Sequence, residues 1–140
     1  MTIEPNFRIT DHFKYTEPGL ACSCCQRIRL VTEFWECVAL LEEMRIDLGF
    51  PIDIVSGYRC KDHNKEVGGA ADSMHMLFAA DSRPLSMPDE SDAIWNAKMH
   101  SMWHWAERRM PDTGGIGIYN SWVHIDTRQN RSRWDERTAS

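Results

Sequence analysis

The chain has 140 residues, 42% apolar and 26% charged, with a formal net charge of −5. That is the composition of one folded domain, large enough to bury about two-thirds of its unfolded surface. The acidic balance argues against a nucleic-acid-binding domain, which would carry a basic face, and no 18-residue apolar run is present to insert into a membrane.

A single domain over 1–140 is expected, with an irregular N-terminal segment over 1–30, punctuated by Pro5, Pro18 and Gly19, and a tail over 129–140. Thr32 is placed to cap a first long helix. Phe34, Val38, Leu41, Met44 and Leu48 recur on one face of it, and Gly49 and Pro51 end it. Ile52-Asp-Ile-Val55 alternates and is β-branched, so it predicts a strand. A short helix over 62–67 follows, stopped by Gly68-Gly69. Leu77–Asp81 reads as a buried strand leading to a carboxylate, and 84–90 as a loop.

Ser91 then caps a second long helix with Trp95, Met99, Met102, Ala106 and Met110 on one face. Beyond Pro111 and Gly114-Gly115, strands over 116–119 and 122–128 flank Asn120-Ser121 as a hairpin. The basic stretch Arg128-Gln-Asn-Arg-Ser-Arg133 reads as a solvated tail. The element order gives an α+β fold, with two long helices packed on a small, mainly antiparallel sheet.

Five cysteines stand at 22, 24, 25, 37 and 60. Cys22-Ser-Cys-Cys25 contains a Cys-x-x-Cys spacing that suits a structural zinc, but no second such pair follows. A disulfide from this cluster to Cys60 is the alternative in an oxidising compartment. Reduced, partly buried thiols are the leading expectation.

His75 and Asp81 fall in Ser73-Met-His-Met-Leu-Phe-Ala-Ala-Asp81, and His124 in Trp122-Val-His-Ile-Asp-Thr-Arg128. Two imidazoles and one carboxylate are a catalytic-zinc ligand set, leaving a fourth position for water. Such a water is a nucleophile near neutral pH, which points to a hydrolase. Strand alternation puts His124 and Asp126 on one face, where Asp126 either takes a proton from that water or orients a ligand imidazole. Arg59 ends the strand after Ser56-Gly-Tyr and is placed to stabilise an oxyanion. His100 and His104 share a helix face, but Ser101 stands where zinc proteases carry Glu, so a solvated face is expected there.

These blocks, Ser56-Gly-Tyr-Arg-Cys-Lys-Asp-His-Asn-Lys-Glu-Val-Gly-Gly-Ala70, Ser73-Met-His75, Ala79-Ala-Asp81, Gly114-Gly-Ile-Gly-Ile-Tyr119 and Trp122-Val-His-Ile-Asp126, resemble the zinc D-Ala-D-Ala carboxypeptidase family. That family includes D-Ala-D-Ala dipeptidases and phage endolysins and shares the hedgehog fold. The resemblance spans roughly residues 8–128. It implies one zinc on His75, Asp81 and His124, with Arg59 polarising the scissile carbonyl of a peptidoglycan stem peptide. Tyr58, Ser73, Tyr119 and Trp122 are expected to contact that substrate.

Several branches of the family place a Glu or Asp base three residues before the last ligand. Ser121 stands there, so Asp126 becomes the expected base. The family also runs one step longer between the first histidine and the aspartate, with a glycine where Phe78 stands. Either a bulge or loop absorbs the missing residue, or metal binding is weakened.

Two readings follow. One is a zinc peptidase cutting an amide next to a D-amino acid, of carboxypeptidase or endopeptidase type. The other is a catalytically degenerate module of the same fold, serving as a phage virion part or a wall-binding domain. The start, Met1-Thr-Ile-Glu-Pro-Asn-Phe-Arg8, lacks a secretory signal layout. The expectation is therefore cytoplasmic synthesis, with access to the cell wall through phage lysis or virion proteins.

Overall fold

A computed structural model describes residues 8–14, 17 and 19–138; Pro5 and Pro18 lie outside them. Helix α1 (Thr32–Leu48) begins one residue away from the sequence expectation. Val31, not Thr32, is the cap, and its carbonyl accepts the Phe34 and Trp35 N–H groups at 3.0 and 3.4 Å. Gly49 ends the helix in the left-handed region (φ 76°), returning its N–H to the Arg45 carbonyl. Phe34, Cys37, Val38, Leu41 and Met44 form the buried stripe.

Strand β1 (Ile52–Ser56) leads to the short helix α2 (Lys61–Glu66), then to a single 3₁₀ turn over Met74–Met76. Strand β2 (Ala80–Pro84) follows, so Asp81 lies near the start of a strand and not at the end of one. The apolar run Leu77–Ala79 is a loop. Phe78 drops from it into the core, fully buried and edge-on to Phe34 at 5.0 Å between centroids. Hydrophobicity there reflects a buried loop, which periodicity alone does not distinguish from a strand.

Helix α3 (Asp92–Arg109) starts at Ser91, whose hydroxyl accepts the Ile94 N–H at 3.2 Å. Met99, Met102, Ala106 and Met110 are buried as the periodicity predicts, and Trp95 is half-buried. Trp105 is buried as well and donates its indole N–H to Asp47 of α1 at 2.8 Å.

Strands β3 (Gly115–Ile118) and β4 (Val123–Asp126) form the expected hairpin. The sheet order is β1-β2-β4-β3-β5, antiparallel except at its last edge. There β5 (Ser132–Asp135) runs parallel to β3, which corrects the reading of 129–140 as a tail and of 128–133 as a solvated basic stretch. Arg133 is pinned to Glu107 at 2.5 Å and to the Gly114 carbonyl at 2.6 Å.

Ile54, Ala80, Ile116, Ile118, Val123 and Ile125 bury one sheet face in the cluster that holds the stripes of α1 and α3. The alternate positions, Asp81, His124 and Asp126, fall on the opposite face. Among the described residues no helix is long and apolar enough to cross a membrane.

Candidate metal centre

Sheet register does most of the assembly. Asp81 of β2 and His124 of β4 are direct cross-strand partners, a position that brings side chains on one face into contact. The Asp81 Oδ1 and His124 Nδ1 atoms are 3.2 Å apart. His75 arrives from the 3₁₀ turn, where the Ser73 hydroxyl accepts the His75 N–H at 3.2 Å. Its Nε2 lies 3.3 Å from Asp81 Oδ2, and the two imidazoles meet edge to face at 4.9 Å. The one-residue shortening between His75 and Asp81 is thus absorbed by the turn and the loop carrying Phe78.

Each imidazole is held from behind. His75 Nδ1 is 2.6 Å from the Gly57 carbonyl, so that nitrogen is the donor and Nε2 keeps its lone pair. Glycine is needed at 57 because a Cβ would lie 2.5 Å from the Gly19 carbonyl oxygen. His124 Nε2 donates to Asp126 Oδ2 at 2.7 Å, which leaves Nδ1 free. Three electron-pair donors therefore face one another, their ligating atoms all within 4.8 Å. Tetrahedral zinc with bonds of ~2.1 Å needs donor atoms about 3.4 Å apart. The separations fit a zinc ion.

Burial pushes the Asp81 carboxyl up, but the two imidazoles beside it, His124 and then His75, outweigh it and hold the group at about 2. Burial pushes His124 down; its bonds to Asp126 and Asp81 outweigh that and raise it. For Asp126, burial is again outweighed, by the Arg128 guanidinium and His124, so its carboxyl sits well below the usual range.

That last environment favours the second of the two roles open to Asp126, orienting an imidazole, over that of a base. The residue is fully buried. Oδ1 accepts from the N–H groups of Gly115 and Arg128 and from Arg128 Nε, and Oδ2 from Arg128 Nη2 and His124. Both oxygens are saturated, behind His124, and a carboxylate so held suits orientation of the imidazole.

The three donors open onto a cleft of about 620 Å³. Arg59, Ser73, Tyr119 and Trp122, four of the expected site residues, line it. Arg59 is braced through Nη2 on the Ser73 hydroxyl at 3.2 Å, while its Nε is buried without a partner. Tyr119 and Trp122 stack at 4.9 Å. Tyr58 does not line this cleft. It lines the neighbouring cavity with Ser23 and His63, a cavity that Arg59 also borders. His100 and His104 are exposed, with His100 against Arg137 at 3.0 Å.

Among the lining residues that sequence did not single out, three carry chemistry or shape the wall. Asp72, exposed, is the cleft's carboxylate besides Asp81. Arg128 lines the wall it shares with Asp126. Trp134 of β5 tilts against His124 at 4.9 Å and donates its indole N–H to the Tyr119 hydroxyl at 2.9 Å. Asp72 stands three positions before His75, a signal visible only once the turn is known.

No curated protein matches the chain. A family model described as Peptidase M15 matches residues 11–126, a span that holds the three donors, Arg59, Asp72 and Asp126. By that match, covering most of its length, the chain belongs to the peptidase M15 family, the family of zinc D-Ala-D-Ala carboxypeptidases.

Proposed function

We propose that the chain is a zinc-dependent peptidase that hydrolyses amide bonds next to D-amino acids in peptidoglycan stem peptides. The observation that carries this reading is the convergence of His75 Nε2, His124 Nδ1 and the Asp81 carboxylate, each imidazole held at its far nitrogen. Zinc on these three residues supplies a Lewis acid and a water that ionises near neutral pH.

The chain's own groups divide the remaining work. Gly57 and Asp126 fix the tautomers of His75 and His124. Asp72, in the cleft and free of the network that saturates Asp126, takes the proton from the attacking water. Arg59 directs its guanidinium N–H groups to the carbonyl oxygen as negative charge grows there. The stacked Tyr119 and Trp122 form an aromatic wall for the stem peptide.

The non-catalytic alternative drew on the shortened His75–Asp81 spacing, which does not keep the donors apart. It retains only Ser121 in its favour. Delivery to the wall through a phage lysis system or virion accompanies the proposal.

The test is incubation of the zinc-loaded chain with purified peptidoglycan and with a synthetic stem pentapeptide, scoring new amino termini and free D-alanine. The expected result is cleavage that a chelator abolishes, zinc restores and His124→Ala eliminates. Intact substrates with a fully zinc-loaded chain would overturn the proposal.

A further inference from the structure

A second group of metal-ligating atoms lies away from the cleft: the sulfurs of Cys22, Cys24, Cys25 and Cys60, all within 4.8 Å of one another. We propose that these four cysteines form a structural zinc site that staples the irregular segment 21–30 to the chain just after β1, next to Arg59.

The geometry suits the ion. Cys24 Sγ is 3.5 Å from Cys22 Sγ and 3.2 Å from Cys60 Sγ, and tetrahedral zinc with Zn–S bonds of ~2.3 Å sets its sulfurs about 3.8 Å apart. All four are free thiols. Four protein sulfurs leave no open coordination position, which distinguishes a structural zinc from a catalytic one. The sequence grouped three of these sulfurs in Cys22-Ser-Cys-Cys25, and the fold brings the fourth, Cys60, from far along the chain.

The local backbone is arranged around the sulfurs. Cys22 and the residues after it form a tight knuckle, with Cys22 N–H on the Arg27 carbonyl and Gln26 N–H on the Cys22 carbonyl, both 2.8 Å. Gln26 closes it in the left-handed region (φ 60°), an uncommon conformation for a residue other than glycine. The Cys60 N–H points at Cys22 Sγ and the His63 N–H at Cys60 Sγ, each at 3.4 Å. Such donors around a metal-binding sulfur orient it and stabilise its thiolate.

The segment needs an anchor. Ser23, Cys24, Gln26, Arg27, Arg29 and Leu30 are exposed, and 21–31 contains no helix or strand. Segments with little apolar burial are commonly held by a metal or by cross-links. Zinc would tie this one to Cys60, whose neighbour Arg59 donates its backbone N–H to the His75 carbonyl at 2.8 Å. Binding replaces thiol protons, which leave to solvent, and no electron is transferred.

The test is anaerobic titration of the reduced, metal-free full chain with cobalt(II). An intense near-ultraviolet thiolate-to-cobalt charge-transfer band is expected, saturating at about one equivalent, bleached by zinc and retained in His75→Ala/His124→Ala. The band should vanish in Cys24→Ser/Cys60→Ser. Because the histidine centre contains no sulfur, this readout stands whether or not the peptidase proposal does. Absence of the band in the wild-type chain, which needs no variant to fold, would overturn the site. So would an as-isolated chain whose mass shows these cysteines joined as disulfides.

Discussion

Asp126 and Asp72 are both carboxylates within a few residues of a histidine of the proposed metal centre, and their surroundings separate them. The first is fully buried and accepts five hydrogen bonds; the second is exposed in the cleft. Asp126→Asn removes the charge that pairs with Arg128 and turns one of the two accepting oxygens, which hold Arg128 and His124, into an NH2 donor. Zinc affinity at the histidine centre should fall about 10–100-fold in a chelator competition, with a lower melting temperature. Unchanged affinity would deny Asp126 the orienting role. Asp72→Asn should leave zinc content intact and lower kcat by roughly 10²–10⁴-fold, the range for losing a positioned base. Wild-type turnover in that variant would assign the proton to another group. Strand alternation and the Ser-x-His block pointed to the ligands. The role of Asp126 did not follow from sequence, because it depends on Gly115 and Arg128 closing around it.

Elements with local signals were readable, and those made by distant pairing were not. Both long helices follow from 3.6-residue periodicity and their terminal residues, and the β3–β4 hairpin from its turn. β2 was offset because Phe78 fills the core from a loop. β5 was missed because Ser132-Arg-Trp-Asp135 is a short edge strand whose parallel partner lies beyond any hairpin. Its attachment has a specific requirement at Gly117, the register partner of both His124 and Trp134. A Cβ there would meet the indole of Trp134 at 2.2 Å, and the rigid ring cannot fold away. Gly117→Ala should therefore push β5 off the sheet, cost about 1–3 kcal/mol as overpacking does, and shift tryptophan emission toward that of a more solvated indole. Unaltered melting and emission would show that β5 does not pack as described.

For the molecule as a whole, one sheet face stabilises the fold and the other carries a concentrated set of buried polar groups, so stability and metal loading depend on pH together. Asp81 is held at about 2, below its unfolded value of about 3.8. Its contribution is present above that unfolded value and lost as pH falls toward 2. His124 is raised, so its contribution is full below its unfolded value of about 6.5 and lost as pH rises through the folded one. Thermal melts of the metal-free chain should show both losses. Zinc binding at the centre should strengthen over the upper range, because the ion displaces the proton that His124 holds.

We propose that His75, Asp81 and His124 jointly hold one zinc facing the cleft. Anomalous diffraction from zinc-loaded crystals, measured at the zinc absorption edge, tests it most directly. A peak bonded to His75 Nε2, His124 Nδ1 and an Asp81 oxygen is expected, at about 2.0–2.2 Å from each. A zinc-loaded crystal with no peak among these three residues would contradict it.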